Sequence, residues 1–98
     1  MKPLSGRVAV VTGATRGIGA STAIALAAEG AHIIAIGRKT KPLEEVDDLI
    51  TGAGGSATLV PLDLTDGAAI ARLGASIHER WGTLDILVGN AGQLGVIS

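Results

Sequence analysis

Apolar residues along this chain fall in short unbroken runs, and between the runs they recur at helical spacing. Arg7-Val8-Ala9-Val10-Val11-Thr12 is apolar and β-branched, the pattern of a strand buried on both faces of a parallel sheet. It leads into a Gly-rich turn. Gly17 to Glu29 are Ala-rich helix formers, and Gly30 stands where a helix stop belongs. Ala31-His32-Ile33-Ile34-Ala35-Ile36 predicts a second buried strand. Pro42 suits the first turn of a second helix, in which Leu43, Val46, Leu49, Ile50 and Ala53 recur at helical spacing before Gly52-Ala53-Gly54-Gly55 ends it. A third strand, Ala57 to Leu62, closes near Pro61, which has no N–H to give to a central ladder. Asp63 therefore falls at or just past a strand's C-terminal end. Thr65 or Asp66 is suited to cap a third helix with the stripe Ile70, Leu73, Ile77 and Trp81, closed by Gly82. Leu84-Asp85-Ile86-Leu87-Val88 predicts a fourth strand running into Gly89-Asn90-Ala91-Gly92.

Strands and helices that alternate in this way require parallel strands joined by right-handed crossovers. The expected fold is α/β, a doubly wound parallel sheet of the Rossmann type, with about four strands in the order 3-2-1-4. No internal repeat, low-complexity tract or linker divides the chain.

Composition narrows the chemistry. Of 98 residues 47% are apolar and 17% charged, which marks a globular chain. A net charge of −1 from eight basic and nine acidic side chains leaves no basic stripe for nucleic acid. Trp81 is the one aromatic ring available to stack a base. Without cysteine there is no disulfide, thiolate nucleophile or Cys-ligated metal. Met1-Lys2-Pro3 to Arg7 is too short and too polar for a signal-peptide core or membrane span, so a cytoplasmic location is the default expectation. The chain contains no tyrosine and no phenylalanine.

Between the first strand and first helix lies Thr12-Gly13-Ala14-Thr15-Arg16-Gly17-Ile18-Gly19. Glycines there permit a tight turn, close approach of backbone to a pyrophosphate, and free N–H groups at the positive end of a helix dipole. The spacing G-x-x-x-G-x-G is neither the common G-x-G-x-x-G nor a Walker A loop. Gly52-Ala53-Gly54-Gly55-Ser56-Ala57 does match G-x-G-x-x-A, but it follows a helix and precedes a strand, the wrong order for a phosphate cradle. It reads as a helix stop.

Three segments in register, Thr12-Gly13 to Gly17-Ile18-Gly19, Leu62-Asp63-Leu64 and Asn90-Ala91-Gly92, resemble the short-chain dehydrogenase/reductase family of the classical type. Gly89 departs from the family, which often has an asparagine there. The resemblance implies that Gly13, Gly17 and Gly19 line the pyrophosphate with Thr15, Arg16 and Ile18 in the same loop. It further implies that Asp63 bonds the adenine amino group with Leu64 backbone beside it, and that Asn90, Ala91 and Gly92 flank the ribose and nicotinamide side. For Asp63, a strand-end turn or cap residue is the alternative.

The second strand ends Ile36-Gly37-Arg38-Lys39. Gly37 occupies the place where an NAD site usually has a carboxylate for the adenine-ribose hydroxyls, about 20 residues past the glycines. No acid there repels a 2′-phosphate, and Arg38 and Arg16 offer planar charged donors to it. NADP(H) is therefore expected over NAD(H), although Arg38-Lys39 with Lys41 also fits a solvated charge run. His32 and His78 lack a carboxylate or second histidine at ligand spacing, Ser56 in a loop has no evident base, and Glu44, Glu45, Asp47 and Asp48 suit a solvated helix face. No metal site is expected.

In the family, a tyrosine acid/base, a lysine one turn further along its helix and a serine on the preceding strand assist hydride transfer. This chain has no tyrosine, its lysines are Lys2, Lys39 and Lys41, and Ser98 follows Asn90-Ala91-Gly92 too closely to be that serine. Residues 1–98 are thus expected to form the N-terminal, cofactor-binding part of one Rossmann domain. The parent would be an NADP(H)-dependent oxidoreductase, homo-oligomeric by family habit, that interconverts a small alcohol and a carbonyl compound. The chain alone would not catalyse, and its fourth strand would be left as an apolar edge calling for further chain or a partner. A non-catalytic nucleotide-binding module and a degraded remnant are the alternatives.

Overall fold

A computed structural model of the chain describes residues 3–14, 17–63, 65–82 and 84–88. Its elements are β1 (Val8–Thr12), α1 (Gly17–Ala28), β2 (His32–Gly37), α2 (Thr40–Gly52), β3 (Ser56–Pro61), α3 (Gly67–Trp81) and β4 (Ile86–Val88). All pairings are parallel, and the four strands lie in the order β3-β2-β1-β4, the order expected of a Rossmann-type sheet. The register pairs Thr12 with Ile36 and Gly37 with Pro61.

Period-two alternation sorts the two inner strands onto opposite faces. Ala9 and Val11 of β1 with Ile33 and Ala35 of β2 face α1 and α2, where Ala23, Ala27, Leu43, Val46 and Ile50 complete one core. Val8, Val10, Ile34 and Ile36 face the other way and are covered by Ile77, with Leu73 and Trp81 of α3 packed against them. Helices on both faces make the sheet doubly wound, and the chain changes face between β3 and β4.

Several boundaries differ from the sequence-based expectation. Helix α1 stops at Ala28, with Glu29 and Gly30 in the turn, and Arg7 and Ala31 precede their strands. Leu84 and Asp85 precede β4 rather than open it. The Asp85 side chain instead ties β1 to the approach of β4, since its Oδ2 accepts the Val8 N–H at 2.9 Å while Oδ1 pairs with Arg7 at 3.2 Å. Leu49, expected on the apolar stripe of α2, is 58% exposed, because Leu43, Val46 and Ile50 fill the face that meets the sheet and Leu49 lies about 100° around the helix from Ile50. Ala53 is the C-cap of α2 and is exposed. Pro61 closes the outermost strand, where the Leu62 N–H turns inward to the Gly37 carbonyl and the proline nitrogen faces away from the ladder.

Ser56 opens β3 rather than sitting in a loop, and it does have a histidine beside it. His32 Nδ1 lies 2.8 Å from Ser56 Oγ and Nε2 2.8 Å from Thr58 Oγ1, and the ring stands 5.5 Å from that of Trp81. With a hydroxyl on each nitrogen and, among the described residues, no carboxylate on the ring, this is a clamp between β2, β3 and α3. Burial, and secondarily the Arg80 guanidinium that stacks on Trp81, hold the His32 pKa below its ordinary value. In the unfolded chain the imidazole titrates near pH 6.5, so from about that pH downward the unfolded state binds the proton more readily. The stability that neutral His32 contributes is complete above about pH 6.5 and is lost as pH falls through the lower folded-state value. Denaturant titrations between pH 8 and pH 5 are expected to show this loss in the native chain and a shallower one in His32→Gln. Parallel profiles would mean that the His32 imidazole titrates alike in the folded and unfolded chain.

Candidate functional site

Parallel strands bring their C-terminal ends to one edge of the sheet. Hydrogen bonding continues there past the strands, with the Ala14 N–H on the Ile36 carbonyl at 3.2 Å and the Leu62 N–H on the Gly37 carbonyl at 2.8 Å. Gly13, Gly37, Arg38 and Asp63 thereby follow one another along this edge. The Thr12 hydroxyl donates to the Val88 carbonyl at 3.3 Å, which draws the end of β4 to the same place.

Gly13 and Gly17 have φ of 62° and 54°, a conformation that side chains disfavour. A Cβ built on Gly17 would meet nothing within 4 Å, so the space over the start of α1 is open. Gly19 is buried one step into the helix. No acidic side chain lies in the first turn of α1, and the positive end of its dipole keeps its attraction for an anion. Gly37 is buried at the end of β2, and Arg38 beside it is exposed.

Asp63 stands past the end of β3, as Pro61 implied, and it is exposed. Its Oδ1 accepts from the Thr65 N–H at 2.9 Å and from the Thr65 hydroxyl at 2.8 Å. These two bonds, backbone first, hold its carboxyl below its ordinary pKa against a small desolvation cost, and the Arg38 charge acts in the same direction. No described residue donates to Oδ2. The Asp66 N–H closes the turn on the Asp63 carbonyl at 3.0 Å, and the Asp66 side chain caps α3 by accepting from the Ala69 N–H at 3.1 Å. Of the two residues suited to that cap, Asp66 takes it and Thr65 braces Asp63. Asp63 thus has the turn role, with an exposed side chain.

Of the other expected site residues, Thr15, Arg16, Leu64, Asn90, Ala91 and Gly92 lie outside the described residues, as does the side chain of Ile18. Two roles at this edge were not assigned from the sequence, Thr12 as the tie to β4 and Thr65, a candidate cap there, as the brace of Asp63. The signal for Thr65 is the local Asp-x-Thr pattern, which favours a side-chain turn.

The family model described as short chain dehydrogenase matches residues 7–97. The chain belongs to the short-chain dehydrogenase family. It is 42% identical over 90 residues to a fatty acyl-CoA reductase of Acinetobacter baylyi, covering 92% of this chain and 30% of that protein. It is 41% identical over 93 residues to the 2,3-dihydro-2,3-dihydroxybenzoate dehydrogenase of Bacillus subtilis, covering 95% of this chain and 36% of the relative. A metagenomic short-chain oxidoreductase crystallised with NADP superposes with a TM-score of 0.83 at 42% identity, over 86% of this chain and 38% of that one. The chain therefore spans about a third of the length of these proteins. Among the described residues no helix is long and apolar enough to cross a membrane.

Proposed function

We propose that this chain carries the dinucleotide site of an NADP(H)-dependent oxidoreductase that interconverts an alcohol and a carbonyl compound. The observation that carries this reading is the edge itself: two glycines with positive φ and open space over Gly17, a buried glycine in the acidic position, an exposed arginine next to it and an anionic acceptor across from it. A dinucleotide needs that donor set. Backbone N–H groups at Gly13 to Gly19, with Thr15, Arg16 and Ile18 in the loop, receive the pyrophosphate. Arg38 and Arg16 pair with the adenine-ribose 2′-phosphate, and Gly37 leaves it room. Asp63 accepts from the adenine amino group beside Leu64, and Asn90, Ala91 and Gly92 border the ribose and nicotinamide side. The bound nicotinamide would supply or take the hydride, while the protein's own part at this edge is to hold and orient it. The chain contains no tyrosine, so the family's phenolic proton donor is not among its residues.

Asp63→Ala tests the reading. Binding of NADPH and NADH is expected to weaken alike, by about 1–2 kcal/mol, since both present the same adenine. Unchanged affinities with a lowered melting temperature would make Asp63 a turn residue only.

A further inference from the structure

Both polar donors of Thr65, its N–H and its hydroxyl, are spent on Asp63. A free aspartate carboxylate rotates about its terminal torsion and presents either oxygen, so it adapts to whatever faces it. Here Oδ1 carries two short bonds from a single residue, at 2.9 and 2.8 Å, and turning the group would break both. The carboxylate is thus fixed in one rotamer, with Oδ2 as the oxygen left for a ligand. We propose that Thr65 is a positioning residue that makes this edge select adenine over a 6-oxo purine such as hypoxanthine, by locking the Asp63 carboxylate as a fixed acceptor.

The proposal rests on the reading of Asp63 as the adenine-facing residue and deepens it. Adenine presents an exocyclic amino group, a donor, where hypoxanthine presents a carbonyl oxygen, an acceptor. An ionised carboxylate only accepts, so it pairs with the first and repels the second. A mobile carboxylate relieves that repulsion by turning away, and a protonated one donates to the carbonyl. The Thr65 bonds oppose both escapes, because they restrain the torsion and favour the ionised form. Rejection of the wrong base is a penalty the site must be built to keep, and a rigid acceptor keeps it.

The test uses the full chain with Thr65→Val, which removes the hydroxyl and keeps the backbone N–H, and Thr65→Ser, which restores the hydroxyl. The first readout needs no cofactor: an NMR titration of the Asp63 carboxyl carbon is expected to move to higher pH in Thr65→Val and to return in Thr65→Ser. The second is the ratio of Kd values for NADPH and its hypoxanthine analogue. That preference is expected to fall about three- to tenfold in Thr65→Val, the span for losing one hydrogen bond, and to recover in Thr65→Ser. An unmoved Asp63 titration or an unmoved base preference in Thr65→Val overturns the proposal. Asp63→Asn separates the two levels, since its amide presents a donor or an acceptor. If it abolishes the preference while Thr65→Val preserves it, Thr65 alone is misassigned; if it leaves the preference intact, the adenine reading falls and takes the proposal with it.

Discussion

Arg38→Ala is expected to weaken NADPH binding by about 1.5–3 kcal/mol, roughly tenfold to 150-fold, and to leave NADH binding within about 0.5 kcal/mol. Arg38 follows buried Gly37 at the end of β2, is exposed, and lies near enough to Asp63 for its charge to lower that carboxyl's pKa. An adenine-ribose 2′-phosphate at this edge would meet its guanidinium, whose charge-assisted bonds to phosphate are about twice as strong as neutral ones. NADH lacks that phosphate, so it loses little when the arginine goes. Arg38→Lys keeps the charge without the planar fork, and an intermediate loss is expected. Calorimetric titration of both cofactors against both variants decides the matter. Equal losses for the two would mean that Arg38 acts on something they share.

The second large effect is on the scaffold. Ile50→Ala is expected to cost about 2–5 kcal/mol of unfolding free energy, and Leu49→Ala, one residue earlier, less than about 0.5 kcal/mol. Ile50 is 0% exposed in the core shared by α1, α2, β1 and β2, whereas Leu49 is 58% exposed. Removing the buried side chain leaves a cavity in that core, and a stability of the usual range, about 5–15 kcal/mol, does not absorb that easily. Urea titrations of the two variants read the contrast directly. Comparable losses would place Leu49 in a core that the structure does not give it.

Leu49 and Ile50 also mark what was legible in the sequence. Parallel strands with helical crossovers followed from apolar runs of strand length separated by helical stretches, while the order 3-2-1-4 was expected from the Rossmann type, and β1 and β2 alternate faces as their runs require. Which side chains of α2 are buried did not follow, because a helical stripe drawn from apolar identity alone admits Leu49 along with Ile50. Only the orientation of the helix on the sheet divides them. The strand-end location of Asp63 was readable from Pro61, since a proline there limits how far a ladder continues. That Asp66 caps α3 while Thr65 braces Asp63 was not readable, because both residues favour both roles and the turn between β3 and α3 decides. The His32 clamp was hidden for another reason. Ser56 and Thr58 are distant in sequence and reach the ring only through the β2–β3 register that pairs His32 with Ser56. The glycine turn was legible in position, while its open space became visible only once α1 was built.

The most direct test of a dinucleotide edge tuned for the 2′-phosphate is a pair of calorimetric titrations of the unmodified chain, one with NADPH and one with NADH, in the same low-salt buffer. Both cofactors are expected to bind, NADPH at least about tenfold more tightly, a difference of about 1.4 kcal/mol or more. Binding of NADH as tight as or tighter than that of NADPH, or binding of neither, would contradict a dinucleotide edge of this kind.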